Sequence, residues 1–492
     1  MKHFLTGLLL ITGLQIAFGQ TYSIRGRVID ADSRQPLPFV NIVINESNLG
    51  GTTDIDGKFG FSSPEPIQFL NLSYVGYESK IYHPRGSNAD HIITLKKIEY
   101  ELPEYVVYPT ENPAHRIIRN AVANIDQNDP EELPAFTYTA YDKMIFTLEL
   151  DSLPMIDTLE MDTTDDFRQF LDKHHLFMME SVSERKFKHP DKNEERVIAT
   201  KVSGFKDPII LFLISQWQST TFYDNRIEIL GKSYVNPISK GSTDKYFFLL
   251  QDTLLYGEND SVFVISFRPG KNTNFDGLTG QISINTKKWA IQNVIAEPYG
   301  IRAAIIFRIE QLYELIDGEH WFPVQVNNQV LLRSVNVNDS AVSIGIGSIP
   351  DSLADQVRTI PIGTGKRYIR NIDLDPELKN REFGNTEVDV DPNANFRDEE
   401  FWSGYRVDTL TLKEQNTYRY IDSLGQAENF DRMARNIETL FTGKIPWGYV
   451  DLDIRKFLTY NDFEGFAPGL GLTTNDRLSE VFHVGGFVRY GL

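Results

Sequence analysis

The stretch "FEGFAPGLGLTTNDRLSEVFHVGGFVRYGL", Phe463 to Leu492, decides what kind of β protein this is. In its first half Phe466, Pro468, Leu470 and Leu472 alternate with Ala467, Gly469, Gly471 and Thr473, so apolar side chains collect on one face. After the polar turn "TNDRLS", Phe482, Val484, Val488 and Tyr490 share one face, and His483, Gly485 and Arg489 the other. Each run has about the ten residues of a tilted strand that crosses a bilayer. Apolar out, small or polar in, is the rhythm of an outer-membrane barrel; the competing reading is an amphipathic hairpin of a soluble sheet. The barrel reading makes Phe466, Leu470, Leu472, Phe482, Val484, Val488 and Tyr490 membrane-facing, with outer-membrane lipid as their partner. Two or three strands cannot close a barrel, and an open edge in lipid leaves backbone groups unpaired. The hairpin is therefore expected to be the first of a longer series of strands.

The other end of the chain supports export. "MKHFLTGLLLITGLQIAFGQ" starts basic at Lys2, runs apolar from Phe4 to Phe18 and closes on small residues, the pattern of a secretory signal cleaved after Gly19. The run is short of the ~20 residues a spanning helix needs, and "PIILFLISQW" (Pro208–Trp217) is shorter still. The formal charge of −19, with no basic run to offset it, argues against nucleic acid as a partner. With no cysteine, disulfides, thiolate chemistry and an N-terminal lipidated Cys are all excluded.

Between the ends the chain is expected to be mainly β. Short alternating runs separated by turns predict a β-sandwich over residues 20–108: "TYSIRGRVID" sets Tyr22, Ile24, Gly26 and Val28 on one face, and Val40, Ile42 and Ile44 alternate likewise. The period then switches. Ile117, Ile118, Ala121, Val122 and Ile125 fall on one helical face, with Asn112 as N-cap and Pro113 in the first helical position. This helix opens a β-rich domain, residues 109–350, whose long strands predict a curved antiparallel, half-barrel-like sheet. Within it "YELIDGEHWFPVQV" is a hairpin turning on Asp317-Gly318, and "DDFRQFLDKHHLFMMESVSERKF" reads as helical or irregular. Residues 351–448 are more polar and read as a connector with short helices, among them "LKEQNTYRYIDSL"; residues 449–492 begin the barrel.

No motif carries chemistry. "TTDIDG" (Thr52–Gly57) lacks the ligands of an EF-hand-like calcium loop and reads as a β-turn in which Asp54 or Asp56 bonds backbone and Gly57 takes positive φ. His174-His175 with Glu180 has adjacent histidines, which do not share a face and so seldom share a metal. Glu319-His320 follows a hairpin turn and is explained by strand-end packing. No GxSxG elbow and no P-loop occurs, and "SIGIGS" (Ser343–Ser348) lacks a strand–turn–helix context. Phe247, Leu249, Val262, Val264, Ile265 and Phe267 either line a lipid-sized groove or form ordinary core, the second being favoured. No catalytic, cofactor or metal residue is assigned, and the chain is read as non-enzymatic.

"IRGRVIDADSRQPLPFVNIVI", "GGTTDIDGKFGF" and "LNLSYVGYES" resemble the carboxypeptidase regulatory-like domain, which implies a transthyretin-like sandwich of about seven strands without a peptidase site. "NPAHRIIRNAV", "VSGFKDP", "YVNPIS", "FDGLTGQISINTKKWAIQNVIAEP", "HWFPVQ" and "FEGFAPGLGLTTNDRLS" resemble a family of outer-membrane proteins of unknown function in which that sandwich precedes a further domain and a C-terminal barrel. Its members usually run on for several hundred further residues, so this chain looks cut early in its barrel. Residues 245–332 are also similar, on strand rhythm and "FDGLTGQISINT", to the half-barrel of periplasmic lipoprotein carriers. These resemblances imply an outer-membrane protein with periplasmic binding or assembly domains and other envelope proteins as partners; the alternative they leave is a lipid or lipoprotein carrier.

Overall fold

The computed structural model describes residues 21–45, 47, 49–85, 90–98, 112–150, 169–203, 221–229, 232–256, 260–271, 273–300, 305–332, 359–384, 387–424, 444–453, 458–461, 465–475, 478 and 484–489. The signal segment, "PIILFLISQW", "SIGIGS", Phe482 and Tyr490 lie outside them. The chain is mainly β, as its alternation predicts, and divides into two compact units. Residues 1–132, 221–299 and 308–327 form one, and residues 133–220, 300–307 and 328–492 the other. This partition crosses the expected borders at 108, 350 and 448, because strands distant in sequence pair within each unit.

In the first unit seven strands make the sandwich: β1 (Tyr22–Asp30), β2 (Asn41–Ile44), β3 (Gly50–Thr52), β4 (Lys58–Ser63), β5 (Leu70–Ser73), β6 (Lys80–Tyr82) and β7 (His91–Leu95). They pair in two sheets, β4-β1-β7 and β3-β2-β5-β6. Ile24 and Val28 meet Val40, Ile42 and Ile44 in a core completed by Leu70, Leu72 and Ile93. Gly26 is required there, since a Cβ would stand 2.2 Å from the His91 carbonyl oxygen.

Helix α1 (Pro113–Ala123) buries Ala114, Ile117, Ile118 and Ala121. The Asn112 side chain accepts the Ala114 N–H at 3.0 Å and donates to the Phe248 carbonyl at 2.8 Å, so one residue caps the helix and ties it to a strand. Asn112→Ala removes both bonds and is expected to cost about 1–2 kcal/mol, read as faster hydrogen exchange along α1 than in the parent.

The remaining strands, in chain order, begin with β8 (Ala135–Leu150), β9 (Phe177–Lys188) and β10 (Lys192–Val202). A small hairpin follows, β11 (Arg226–Ile229) and β12 (Lys232–Val235). Then come β13 (Tyr246–Tyr256), β14 (Asp260–Pro269), β15 (Leu278–Asn285), β16 (Ala290–Pro298), β17 (Ile305–Ile316) and β18 (His320–Leu332), which succeed one another in sheet order. Beyond them lie β19 (Thr359–Asp373) and β20 (Val388–Val390). In the second unit the order is β19-β8-β9-β10-β20. Register shifts in β8–β19, β9–β10, β13–β14 and β15–β16 mark bulges, which curve a sheet. The β10–β20 edge pair is parallel, an exception to the antiparallel expectation.

The β17–β18 hairpin turns on Asp317 (φ 51°) and Gly318 (φ 73°), the two positive-φ residues a tight turn of this hand needs. Two expectations are corrected. Phe177–Lys188, read as helical or irregular, is a strand flanked on both edges by β8 and β10. The connector assigned to 351–448 contains β19, whose fifteen residues run along β8. Its Gly363 makes that pairing possible, because a Cβ there would stand 2.7 Å from the Phe146 ring. The helix expected at "LKEQNTYRYIDSL" is found as α3 (Leu412–Leu424), preceded by a short helix that was not expected, α2 (Glu399–Tyr405), while the second expected helix, "AENFDRMARNIETLF", lies outside the described residues.

The C-terminal strands are β21 (Lys444–Trp447), β22 (Val450–Asp453), β23 (Leu458–Asn461), β24 (Gly465–Thr474) and β25 (Gly485–Arg489). β22 and β23 lie end to end along one edge of β24, and β25 pairs with its other edge. Among the described residues they form an open five-stranded sheet rather than a closed barrel.

Candidate functional site

The C-terminal sheet sorts its side chains by register. Leu472 stands opposite Leu452 and Leu470 opposite Val488, while Ile445 faces Leu452 and Trp447 faces Val450. Residues directly opposite share a face, so Ile445, Trp447, Val450, Leu452, Leu470, Leu472, Val484 and Val488 lie together. Leu470 is 48% exposed, Trp447 68% and Val488 78%. The opposite face carries Asp451, Asp453, Gly471, Thr473 and Gly485, with Phe487 standing across from Gly471. Gly485 is dictated by crowding on this face, since a Cβ would come 2.6 Å from Thr473 Oγ1. Of the seven residues expected to face membrane, the structure brings Leu470, Leu472, Val484 and Val488 to one exposed face. Phe466 belongs to β24, but its side chain lies outside the described residues, as do Phe482 and Tyr490 altogether.

The second unit holds two clusters of buried charge that no motif announced. Glu180, on β9, accepts hydrogen bonds from Tyr141 (2.6 Å), Tyr418 (2.9 Å) and both Arg406 Nε (2.7 Å) and Arg406 Nη2 (2.8 Å). Burial works to raise this carboxyl, but Arg406 and the two phenol hydroxyls together hold it below the usual glutamate range. Arg406 also pairs with Glu399 and lies over the Trp402 ring, so the α2–α3 segment is fastened to the sheet through one carboxylate. On the alternate residues of the same strands, Arg367 grips Asp142 through two nitrogens (2.8 and 3.0 Å) and reaches Glu195 at 2.7 Å. Burial pushes Asp142 up despite that grip, with the Glu195 charge adding to the rise. For Glu195 the penalty of burial is outweighed by Arg367, the Ser183 hydroxyl and Arg185, and its carboxyl stays low. One guanidinium thus serves two carboxylates unequally. Groups buried and bonded in this way serve as anchors.

An open groove of about 790 Å³ lies on the same unit, floored by Thr137, Thr139, Glu184 and Arg196 and walled by Arg381–Gly384. Charges of its lining are paired: Lys186 with Glu194 at 2.9 Å, and Arg196 with Asp389 at 3.9 Å and with Asp391, outside the lining, at 3.3 Å.

The motifs weighed in the sequence resolve as follows. "TTDIDG" is a turn: Asp54 Oδ1 accepts the Lys58 N–H at 2.7 Å, and Gly57 has φ 73°. Burial lifts the Asp54 carboxyl to about 6. The turn also docks the sandwich on its own unit's sheet, where Gln325 Nε2 donates to Asp56 (2.9 Å) and Phe39 and Ile55 pack on Leu312. His174 and His175 diverge. His174 stacks between Phe170 and Tyr420, while His175 is held near 4 by burial and by the neighbouring Lys413. Next to Glu319-His320, Trp321 and Phe322 are fully buried and Trp321 Nε1 donates to the Lys287 carbonyl at 3.1 Å, which is strand-end packing. The proposed apolar stripe splits. Ile265 and Phe267 face Leu250 and Phe248, whereas Phe247 and Leu249 lie on the other face opposite Arg268 and Ser266. Val262, Val264, Ile265 and Phe267 are all buried, as the core reading expected.

Comparison with known proteins accords with this architecture. Residues 24–107, the stretch that forms the sandwich, match the CarboxypepD_reg-like domain. Residues 117–340 match a family of unknown function, DUF5686. Neither description names a catalytic activity. A stretch of 110 residues, 22% of this chain, is 28% identical to the TonB-dependent receptor P3 of Formosa agariphila, and the match spans 10% of that receptor's length. A DUF1329 family protein of Desulfovibrio piger ATCC 29098 superimposes with 10% identity over 56% of this chain and 98% of its own, at a TM-score of 0.22, too loose a likeness to carry an argument.

Proposed function

We propose that this chain is a non-enzymatic outer-membrane protein. Its C-terminal strands face lipid, and its preceding domains act in the periplasm as binding or assembly modules of the cell envelope. The observation that carries this reading is the segregation of Ile445, Trp447, Leu470, Leu472, Val484 and Val488 onto one exposed face, backed by Asp451, Gly471 and Thr473 on the other. A soluble sheet of this pattern buries its apolar face against a second layer, whereas a barrel strand leaves that face to acyl chains. Strand length agrees: the ten residues of β24 extend ~33 Å, and a ~45° tilt reduces that to the height of the apolar band of such barrels. The likeness to a TonB-dependent receptor and the signal-like N-terminus support the same compartment. Other envelope proteins are the partners this reading expects for the preceding domains.

Fractionation tests it. The full-length product is expected in the outer-membrane fraction and to resist extraction by alkaline carbonate. Recovery in the soluble periplasm would refute the reading.

A further inference from the structure

The C-terminal sheet has two unlike ends. β21 begins at Lys444, opposite Asp453, and runs toward Trp447, so the chain arrives from the end at which Asn461 pairs with Gly465. At that end three residues, 462–464, join β23 to β24. At the far end β24 and β25 are joined by ten residues, 475–484, and β21 turns into β22 through Gly448 and Tyr449. Outer-membrane barrels have short periplasmic turns and longer external loops. The direction of chain arrival and the ten-residue length of the 475–484 connection agree with this, while the two-residue Gly448–Tyr449 turn is a short connection at the same far end.

The far end also carries exposed aromatic rings. Trp447 is 68% exposed and Tyr449 66%, on either side of Gly448, whose φ of 67° makes the tight turn. Asn475 is held beside them: its amide donates to the Gly448 carbonyl at 3.1 Å and to Asp451 at 3.0 Å, and its backbone N–H donates to the Tyr449 carbonyl at 3.2 Å. Trp and Tyr gather where acyl chains give way to headgroups, because each ring joins an apolar body to a polar tip. An aromatic pair next to a polar connection marks such a boundary.

We propose that the Trp447–Tyr449 turn sits in the outer, cell-surface headgroup layer, that Leu478 at the same end is exposed to the medium, and that the sandwich remains on the periplasmic side. The partner this assigns to Trp447 and Tyr449 is the lipid headgroup region of the outer leaflet. The inference rests on the outer-membrane reading above and adds its sidedness.

The natural absence of cysteine makes the test direct. Leu478→Cys, at the far end, and Ile92→Cys, on the sandwich, replace side chains that are 56% and 67% exposed. A membrane-impermeant maleimide is applied to intact cells and to cells with a permeabilised outer membrane, and the same cells are fractionated. Leu478→Cys is expected to be labelled in intact cells, and Ile92→Cys only after permeabilisation. Tyr449→Cys, at the same end, serves as a second reporter should Leu478→Cys assemble poorly. Labelling of Ile92→Cys in intact cells, or of neither end until permeabilisation, with the protein still in the membrane fraction, overturns the sidedness and leaves the membrane reading standing. Recovery in the soluble fraction overturns both.

Discussion

Replacing Arg367 with methionine is expected to destabilise the second unit by about 3–5 kcal/mol, the cost of leaving buried charge without its partner. The side chains of Arg367, Asp142 and Glu195 are 3%, 4% and 13% exposed, so water cannot take over the role of the guanidinium. Asp142 loses its cation, Glu195 is left with Arg185, and the two carboxylates repel each other. The effect carries a pH signature. Without Arg367 both carboxyls are raised in the folded state above their unfolded values. A raised group contributes stability below its unfolded pKa and loses it as pH rises through the folded pKa. The deficit of Arg367→Met is therefore expected to shrink as pH falls from 7 to 5. Hydrogen exchange along β8, β9 and β10 reads this, with opening accelerated by roughly a hundred- to a few thousandfold at pH 7. Arg367→Lys keeps the charge but not the two-pronged geometry, and is expected to recover only part of the loss. Adding Asp142→Leu and Glu195→Met to Arg367→Met removes the stranded charges and is expected to restore most of it. A pH-independent deficit, or one below about 1 kcal/mol, would show that the cluster is not the buried anchor its geometry indicates.

The second large effect belongs to the face that the proposed outer-membrane reading turns to lipid. Leu470→Arg places a guanidinium opposite Val488, in the middle of the apolar face, and is expected to cost about 2–4 kcal/mol of membrane insertion, which strongly reduces the assembled fraction. Phe487→Arg is the matched control. It alters an equally exposed side chain one position away on the face that carries Thr473 and Gly485, where polar residues are tolerated. The two variants are compared by the yield of carbonate-resistant protein. Equal yields would mean that the faces do not see different media, and the membrane interface would fall.

Local signals were the legible part. The alternation of "TYSIRGRVID", the Asn112-Pro113 start of α1 and the Asp317-Gly318 turn each depend on neighbours in sequence, and each is found in the structure. The C-terminal alternation was readable for the same reason. β9 was not, because "FMMESVSERKFK" is buried on both faces for most of its length and its polar residues are placed by partners elsewhere, so no two-residue period survives. β19 was hidden by Pro361, Gly363 and Gly365, which read as loop residues until β8 lies alongside. The charge clusters had no spacing to find: Asp142 and Arg367 stand 225 residues apart, and only the sheet order makes them neighbours.

The clamp on Glu180 carries a consequence for the order of synthesis. Its cation, Arg406, follows it by 226 residues. A chain synthesised from its amino end therefore presents β9 long before the arginine that neutralises it has been made. Until then Glu180 has to stay hydrated, and the β8–β10 strands cannot close over it without stranding a bare carboxylate. Completion of this sheet is thus expected to come late, with the arrival of the 399–424 segment.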